Sequence, residues 1–193
     1  MRARRKVLNA IAVFAALLLA GCYVTTQKLP AGGGPVIDPQ LVGTWQVNDE
    51  QGKPEGTYLH FIKSSDTAPL TFVMVDDHSW TVYEMTSLKV GKRQMFAVKQ
   101  TVAPRGDKPE HNYIVGFYEI KGDELSISLL DTKKVKQLIA DHKIKGRVES
   151  GDYGKVLLTA SPEELAALFA TTDMEKLVTG DKPAKAHRVS KPK

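Results

Sequence analysis

The amino-acid sequence predicts a mainly β fold, an antiparallel barrel or strongly curved sheet with two short helices at about 132–141 and 162–170. Three observations carry this. Between residues 39 and 178, apolar residues fall into eight or nine short runs, several alternating with polar ones at the period of a half-buried strand. Gly, Pro, Asp and Ser separate the runs at intervals too short for crossover helices, so neighbouring strands are expected to pair as hairpins. Helical periodicity appears only twice, late in the chain. Closing such strands into a barrel would remove exposed edges.

The elements follow in order. Residues 41–48 (LVGTWQVN) form the first expected strand, followed by 58–63 and 70–76 with Ser64, Ser65, Asp66 and Pro69 between them. Strands 80–90 and 93–102 meet at Val90-Gly91-Lys92, a tight hairpin signal. After the loop 104–109 (PRGDKP), strand 111–121 turns at Gly122-Asp123 into 124–130, where Leu125, Ile127 and Leu129 alternate with Ser126 and Ser128. Val135, Leu138, Ile139 and His142 then sit at helical spacing, with Asp131 or Thr132 able to cap. His142 reads as a packing residue at the end of that stripe. Alternation returns over 142–150, with Ile144 and Val148 expected inward, and again over 155–159. Ser161-Pro162-Glu163-Glu164 opens the second helix, with serine as N-cap, proline at the first helical position and glutamate three residues after the cap. Leu165, Leu168 and Phe169 form its buried stripe.

The ends of the chain differ from its middle. Arg2, Arg4, Arg5 and Lys6 precede an unbroken apolar run at residues 10–20. Eleven helical residues rise roughly 16 Å, about half a hydrocarbon core, which fits a signal segment rather than a stable span. Residues 23–38 contain Gly32-Gly33-Gly34 between Pro30 and Pro35 and read as a flexible linker with a mean reach of roughly 20 to 25 Å. Residues 179–193 are basic, proline-punctuated and without apolar periodicity, so they are expected to be disordered.

The net charge of +5 belongs to these ends. Signal and tail each contribute +4, leaving −3 on residues 22–179. A mildly acidic domain is not expected to bind nucleic acid, whose phosphates call for clustered Lys and Arg. The basic tail is expected either to touch an anionic envelope polymer or lipid, or to be a solvated end.

Leu19-Ala20-Gly21-Cys22 resembles the lipobox of bacterial lipoproteins, and Cys22 is the only cysteine. The resemblance implies that residues 1–21 are removed as a signal peptide and that Cys22 carries a diacylglyceryl group and an amide-linked chain such as palmitate. Two or more acyl chains make a stable membrane anchor. Tyr23 follows Cys22 where an aspartate would be the inner-membrane retention signal. The analogy therefore implies the outer membrane, with the domain facing the periplasm. Domain organisation follows: signal peptide 1–21, lipidated cysteine and linker 22–38, barrel-like domain 39–178, basic tail 179–193.

Gly43-Thr44-Trp45 at the head of the first strand is similar to the signature of lipocalins and the wider calycin group. That resemblance implies that Gly43 permits a tight bend into the strand and that Trp45 plugs the closed end of the barrel. It also implies a late arginine laid across the tryptophan, for which Arg147 is the expected residue. The Thr-Asp-Tyr turn of true lipocalins is replaced here by Lys121-Gly122-Asp123, and a helix interrupts the late strands, so the likeness is to a divergent calycin-like domain.

Catalytic patterns are missing from the sequence. His60, His78, His111 and His142 are not within metal-ligand spacing of one another or of a cysteine. No serine sits in a nucleophile elbow. Asp76-Asp77 falls in a turn and Glu163-Glu164 at a helix start, where acids have local roles. No enzyme activity, metal or cofactor is expected. The middle strands are rich in aromatic and methionine residues, which leaves two readings open. Tyr58, Phe72, Tyr83, Met85, Phe96 and Tyr113 would border a cavity for a small apolar ligand or lipid, since barrels of about eight strands can hold one. Alternatively these residues fill the barrel or lie beneath a helix, and the lipoprotein works as a packed module that recruits another envelope protein.

Overall fold

The computed structural model describes residues 23–32, 37–49, 51–77, 79–102, 111–148, 155–171, 177–179 and 183–190. Alternation of buried and exposed residues produces the expected strands nearly in place. They are β2 (Gly43–Asn48), β3 (Pro54–Ile62), β4 (Leu70–Val75), β5 (Trp80–Val90), β6 (Arg93–Val102), β7 (Tyr113–Lys121) and β8 (Glu124–Leu129). Each pairs antiparallel with the next. Gly91 has φ 61°, the positive value that a two-residue hairpin loop between Val90 and Arg93 demands of its first residue.

The closing strand comes from the segment expected to be disordered. Residues Ala184–Ser190 form β11, which pairs antiparallel with β8 on one side and β2 on the other. The result is a closed eight-stranded antiparallel barrel, β2 through β8 with β11. The tail expectation is corrected because AKAHRVS has weak alternation of its own. It gains ladder hydrogen bonds only when two waiting strand edges are presented to it, and a sequence window sees neither edge.

The expected linker is corrected in the same way. Val24–Thr26 form β1, fully buried, parallel to β10 (Val156–Leu158) and antiparallel to the start of β7. β8 leaves β7 after pairing Leu129 with Gly116, and β1 takes over the vacated edge at Ile114 and Tyr113. β10 in turn pairs with β9 (Gly146–Val148), making a three-stranded flap beside the barrel. The described fold therefore runs from Tyr23 to Ser190 rather than from 39 to 178. Gly33 and Gly34 lie outside the described residues.

Two helices complete the described structure. α1 (Thr132–Ala140) is capped by Asp131, whose carboxylate accepts from the Lys133 and Lys134 backbone N–H groups at 2.8 and 3.3 Å. α2 (Pro162–Thr171) has the capping box its sequence announces. The Ser161 N–H donates to Glu164 Oε2 at 2.7 Å, and the Glu164 N–H donates to Ser161 Oγ at 3.2 Å. His142 differs from expectation. It is exposed at φ 55°, just past α1, where the chain turns away from the helix axis. Val148 is also corrected from inward to half exposed, since β9 is the outer strand of the flap.

Two cores result, and they explain the excess of large side chains in the middle strands. One fills the barrel and includes Trp45, Leu59, Phe61, Phe72, Met74, Tyr83, Met85 and Leu125. The other lies outside the barrel wall, where Leu88, Met95, Val115 and Phe117 on β5–β7 meet Leu165 and Phe169 of α2, Val135 of α1 and Val156 of β10. Phe117 and Phe169 pack edge to face at 5.9 Å. β5–β7 are thus apolar on both faces because helices cover the outer one. Burial of each such side chain contributes roughly 1.5–3 kcal/mol.

Candidate functional site

One end of the barrel is built from a tryptophan, an arginine and the turn before β2. Trp45 is fully buried on the inward face of β2, and its indole N–H donates to the Leu41 carbonyl at 2.8 Å. Gly43, at φ 128°, makes the bend into the strand that a side chain would strain. The guanidinium lying over the Trp45 ring, 4.0 Å from its centroid, belongs to Arg188 on β11. Arg188 also donates to the Val42 and Gln40 carbonyls at 3.1 and 2.6 Å. Its Nε is 3.2 Å from Asp123 Oδ1, near enough for charge attraction although not aligned as a hydrogen bond. The expectation for Arg147 is therefore corrected: it sits exposed on β9, beside β10 in the flap. Arg188 escaped notice because its segment read as tail.

A second strap crosses the same end. The Tyr118 hydroxyl on β7 donates to Asp38 Oδ2 at 3.0 Å, tying the segment before β2 to the opposite wall. Burial raises the Tyr118 phenol well above its ordinary range, and the Asp38 carboxylate reinforces the shift.

Inside the barrel, side chains from β3 to β8 converge. Phe72, Tyr83, Met85 and Phe96, four of the six residues read from the sequence, line one small cavity. Leu41, Phe61, Val98, Tyr118, Leu125, Ile127 and Leu129 complete it. Of these seven, Leu125, Ile127 and Leu129 were legible as an inward set by alternation, and which residues face the void depends on barrel closure. Phe61, Phe72 and Tyr83 stack across three adjacent strands, with centroids 4.9 and 5.3 Å apart. Burial pushes the Tyr83 phenol up to about 12.

Tyr58 and Tyr113 are not brought to this cavity. Tyr58 is on the outer face of β3, stacked near His60 at 6.4 Å and accepting from Gln46 Nε2 at 2.9 Å. Tyr113 packs against the outer core. Strand parity separates them: Leu59 and Phe61 take the inward positions of β3, and Ile114 takes that of β7.

Little space is left among the side chains that line the cavity. The cavity is about 30 Å³ and wholly apolar in lining. Sites for drug-sized ligands run from about 300 Å³. A larger groove of about 670 Å³ runs along the outside of β7 and β8, past Arg93, Gln94, Glu119, Ser126 and Ser128. It is bordered by Val178 and Pro183, which adjoin residues outside the described set.

Among the described residues, no three His, Cys, Asp or Glu side chains are grouped to hold a metal ion. No described helix is long and apolar enough to cross a membrane. Cys22 and His78 lie outside the described residues. Comparison of the chain with protein families, with curated proteins and with solved structures found no match. The fold is thus carried by its own geometry, a closed eight-stranded barrel consistent with a calycin-like architecture.

Proposed function

We propose that this chain is an envelope lipoprotein, anchored through Cys22, whose barrel is a packed scaffold that acts through its outer surface on another envelope component. The observation supporting a scaffold is the filled interior: some 30 Å³ remains among eleven side chains, about a tenth of the smallest pockets that take drug-sized ligands. Two tied straps at one end of the barrel, Arg188 over Trp45 and Tyr118 to Asp38, favour a stiff body. The anchor is supported by the lipobox-like Leu19-Ala20-Gly21-Cys22 after a basic and apolar leader. Outer-membrane attachment facing the periplasm remains the proposal that Tyr23 supports by analogy.

The second reading is a barrel that takes up a small apolar ligand or lipid. The wholly apolar void and the adaptable Met85 beside it favour this reading. It requires Phe72, Tyr83 or Phe96 to swing aside.

Native mass spectrometry of the chain from Tyr23 onward, exposed to an envelope lipid extract, separates the two. The scaffold reading expects the bare mass under gentle ionisation. A discrete added mass, lost in Phe96→Ala or Tyr83→Ala chains that keep their far-ultraviolet spectrum, overturns it. The anchor is tested separately by labelling cells with radioactive palmitate. Label on the wild type and none on Cys22→Ala is expected, and equal labelling sinks it.

A further inference from the structure

The position of the first described residue changes how a lipid anchor would act. Tyr23 is 9% exposed and packed into the barrel core, and β1 begins at the next residue. Cys22 is one peptide bond away, so its Cα lies about 3.8 Å from that of a core residue. No flexible spacer separates anchor from fold. A domain lipidated at Cys22 cannot float above the bilayer and must lie against it.

The part of the molecule beside that exit has its own charge. β1 is flanked by β10, and β10 is flanked by β9 and touched by α1. Residues 131–160, which build α1, β9 and β10, carry seven Lys or Arg against four Asp or Glu, a net +3. The remainder of residues 22–193, β11 included, carries −2. Lys155 puts its ammonium 5.5 Å from the Tyr23 ring centroid, directly beside the exit. Lys133, Lys143 and Arg147 are exposed on α1, on the turn after it and on β9. Val148, 49% exposed, adds an apolar side chain next to Arg147.

Building on the anchor reading, we infer that the flap of β1, β10 and β9 with α1 is a docking face for an anionic lipid bilayer. The anchor and this basic face together fix the orientation of the barrel on the membrane. Acidic headgroups complement the flap better than the rest of the domain, so one orientation is preferred. Basic residues within a Debye length of the surface each strengthen binding about fivefold, and an acyl anchor combined with a basic patch is a stable two-signal attachment.

Every described contact lies between Tyr23 and Ser190, so the chain from Tyr23 onward retains them all without the lipid. That chain is sedimented with vesicles of phosphatidylcholine containing about a third phosphatidylglycerol, and with pure phosphatidylcholine as control. The expected result is binding to the anionic vesicles alone, weakening as salt rises. Lys133→Glu, Lys143→Glu and Arg147→Glu together should reduce it at least about tenfold. A barrel variant with the same change in net charge, Lys53→Glu, Lys89→Glu and Lys92→Glu, should retain it. Equal loss in both variants, no vesicle binding by the wild type, or binding to a soluble polyanion but not to vesicles would each overturn the docking face. The palmitate experiment on Cys22 reads the anchor independently, so a labelled protein that ignores anionic vesicles refutes docking alone. An unlabelled protein that binds them refutes the anchor alone.

Discussion

Arg188 lies across the face of Trp45, 4.0 Å from the ring centroid, and thereby joins the last strand of the barrel to the first. The two residues are also opposite one another in the β11–β2 ladder. Cation–π attraction, hydrogen bonds to the Val42 and Gln40 carbonyls and the ladder therefore act at one place.

Replacing this arginine should be costly. Arg188→Ala is expected to lower stability by about 2–4 kcal/mol, because two carbonyls lose their donor and the indole face loses its cover. Arg188→Lys should recover less than half, since an ammonium cannot reach both carbonyls and stack on the ring together. Urea denaturation followed by Trp fluorescence reads both. Ending the chain at residue 179 should be worse than either, exposing the edges of β2 and β8, with aggregation as the expected outcome.

Gly116 on β7 faces into the barrel at a point with no room for a methyl group. A Cβ there would lie 2.5 Å from a ring carbon of Phe96 and 2.7 Å from the Ser128 carbonyl. Gly116→Ala should destabilise by about 1–3 kcal/mol. Phe96→Leu in the same chain should offset part of that loss, the Ser128 backbone being unable to move. A double-mutant cycle in urea measures the coupling, and full additivity would contradict the close approach.

The cap of α2 gives a pH-dependent prediction. The Ser161 N–H, followed by Lys145, holds the Glu164 carboxyl below its ordinary value of 4.5. A carboxyl lowered in the folded state contributes stability above its unfolded pKa and loses it as pH falls through the folded value. Stability is therefore expected to fall below about pH 4.5 with a component that Glu164→Gln removes. Ser161→Ala should cost about 0.5–2 kcal/mol at neutral pH. Thermal melts between pH 3 and 7 read both effects.

At the alkaline end the sign reverses. Burial raises the Tyr83 phenol from 10.0 to about 12, with Tyr118 shifted the same way. A group raised in the folded state keeps its full contribution below the unfolded value and loses it as pH rises towards the folded one. Stability should therefore decline from about pH 10 upward, and less steeply in Tyr83→Phe. Tyrosinate absorbance should show Tyr83 and Tyr118 ionising later in the native protein than once it is unfolded.

Much of this protein is determined locally and was legible in its sequence. Strands β2 to β8, the Asp131 cap, the capping box at Ser161 and the bend at Gly43 depend on residues a few positions apart. Aromatic and methionine content also pointed to Phe72, Tyr83, Met85 and Phe96, which do border one void. Tertiary structure decided the rest. β1 pairs with a strand some 130 residues away, and β11 has two long-range partners, so neither Val24–Thr26 nor Ala184–Ser190 carries a signal within its own window. Arg188 was hidden for the same reason, and Tyr58 and Tyr113 were assigned by aromatic character when strand parity turned them outward. Whether the barrel is hollow or filled depends on how eight walls meet. Periodicity specifies which side chains point inward, but only closure determines how much volume remains between them.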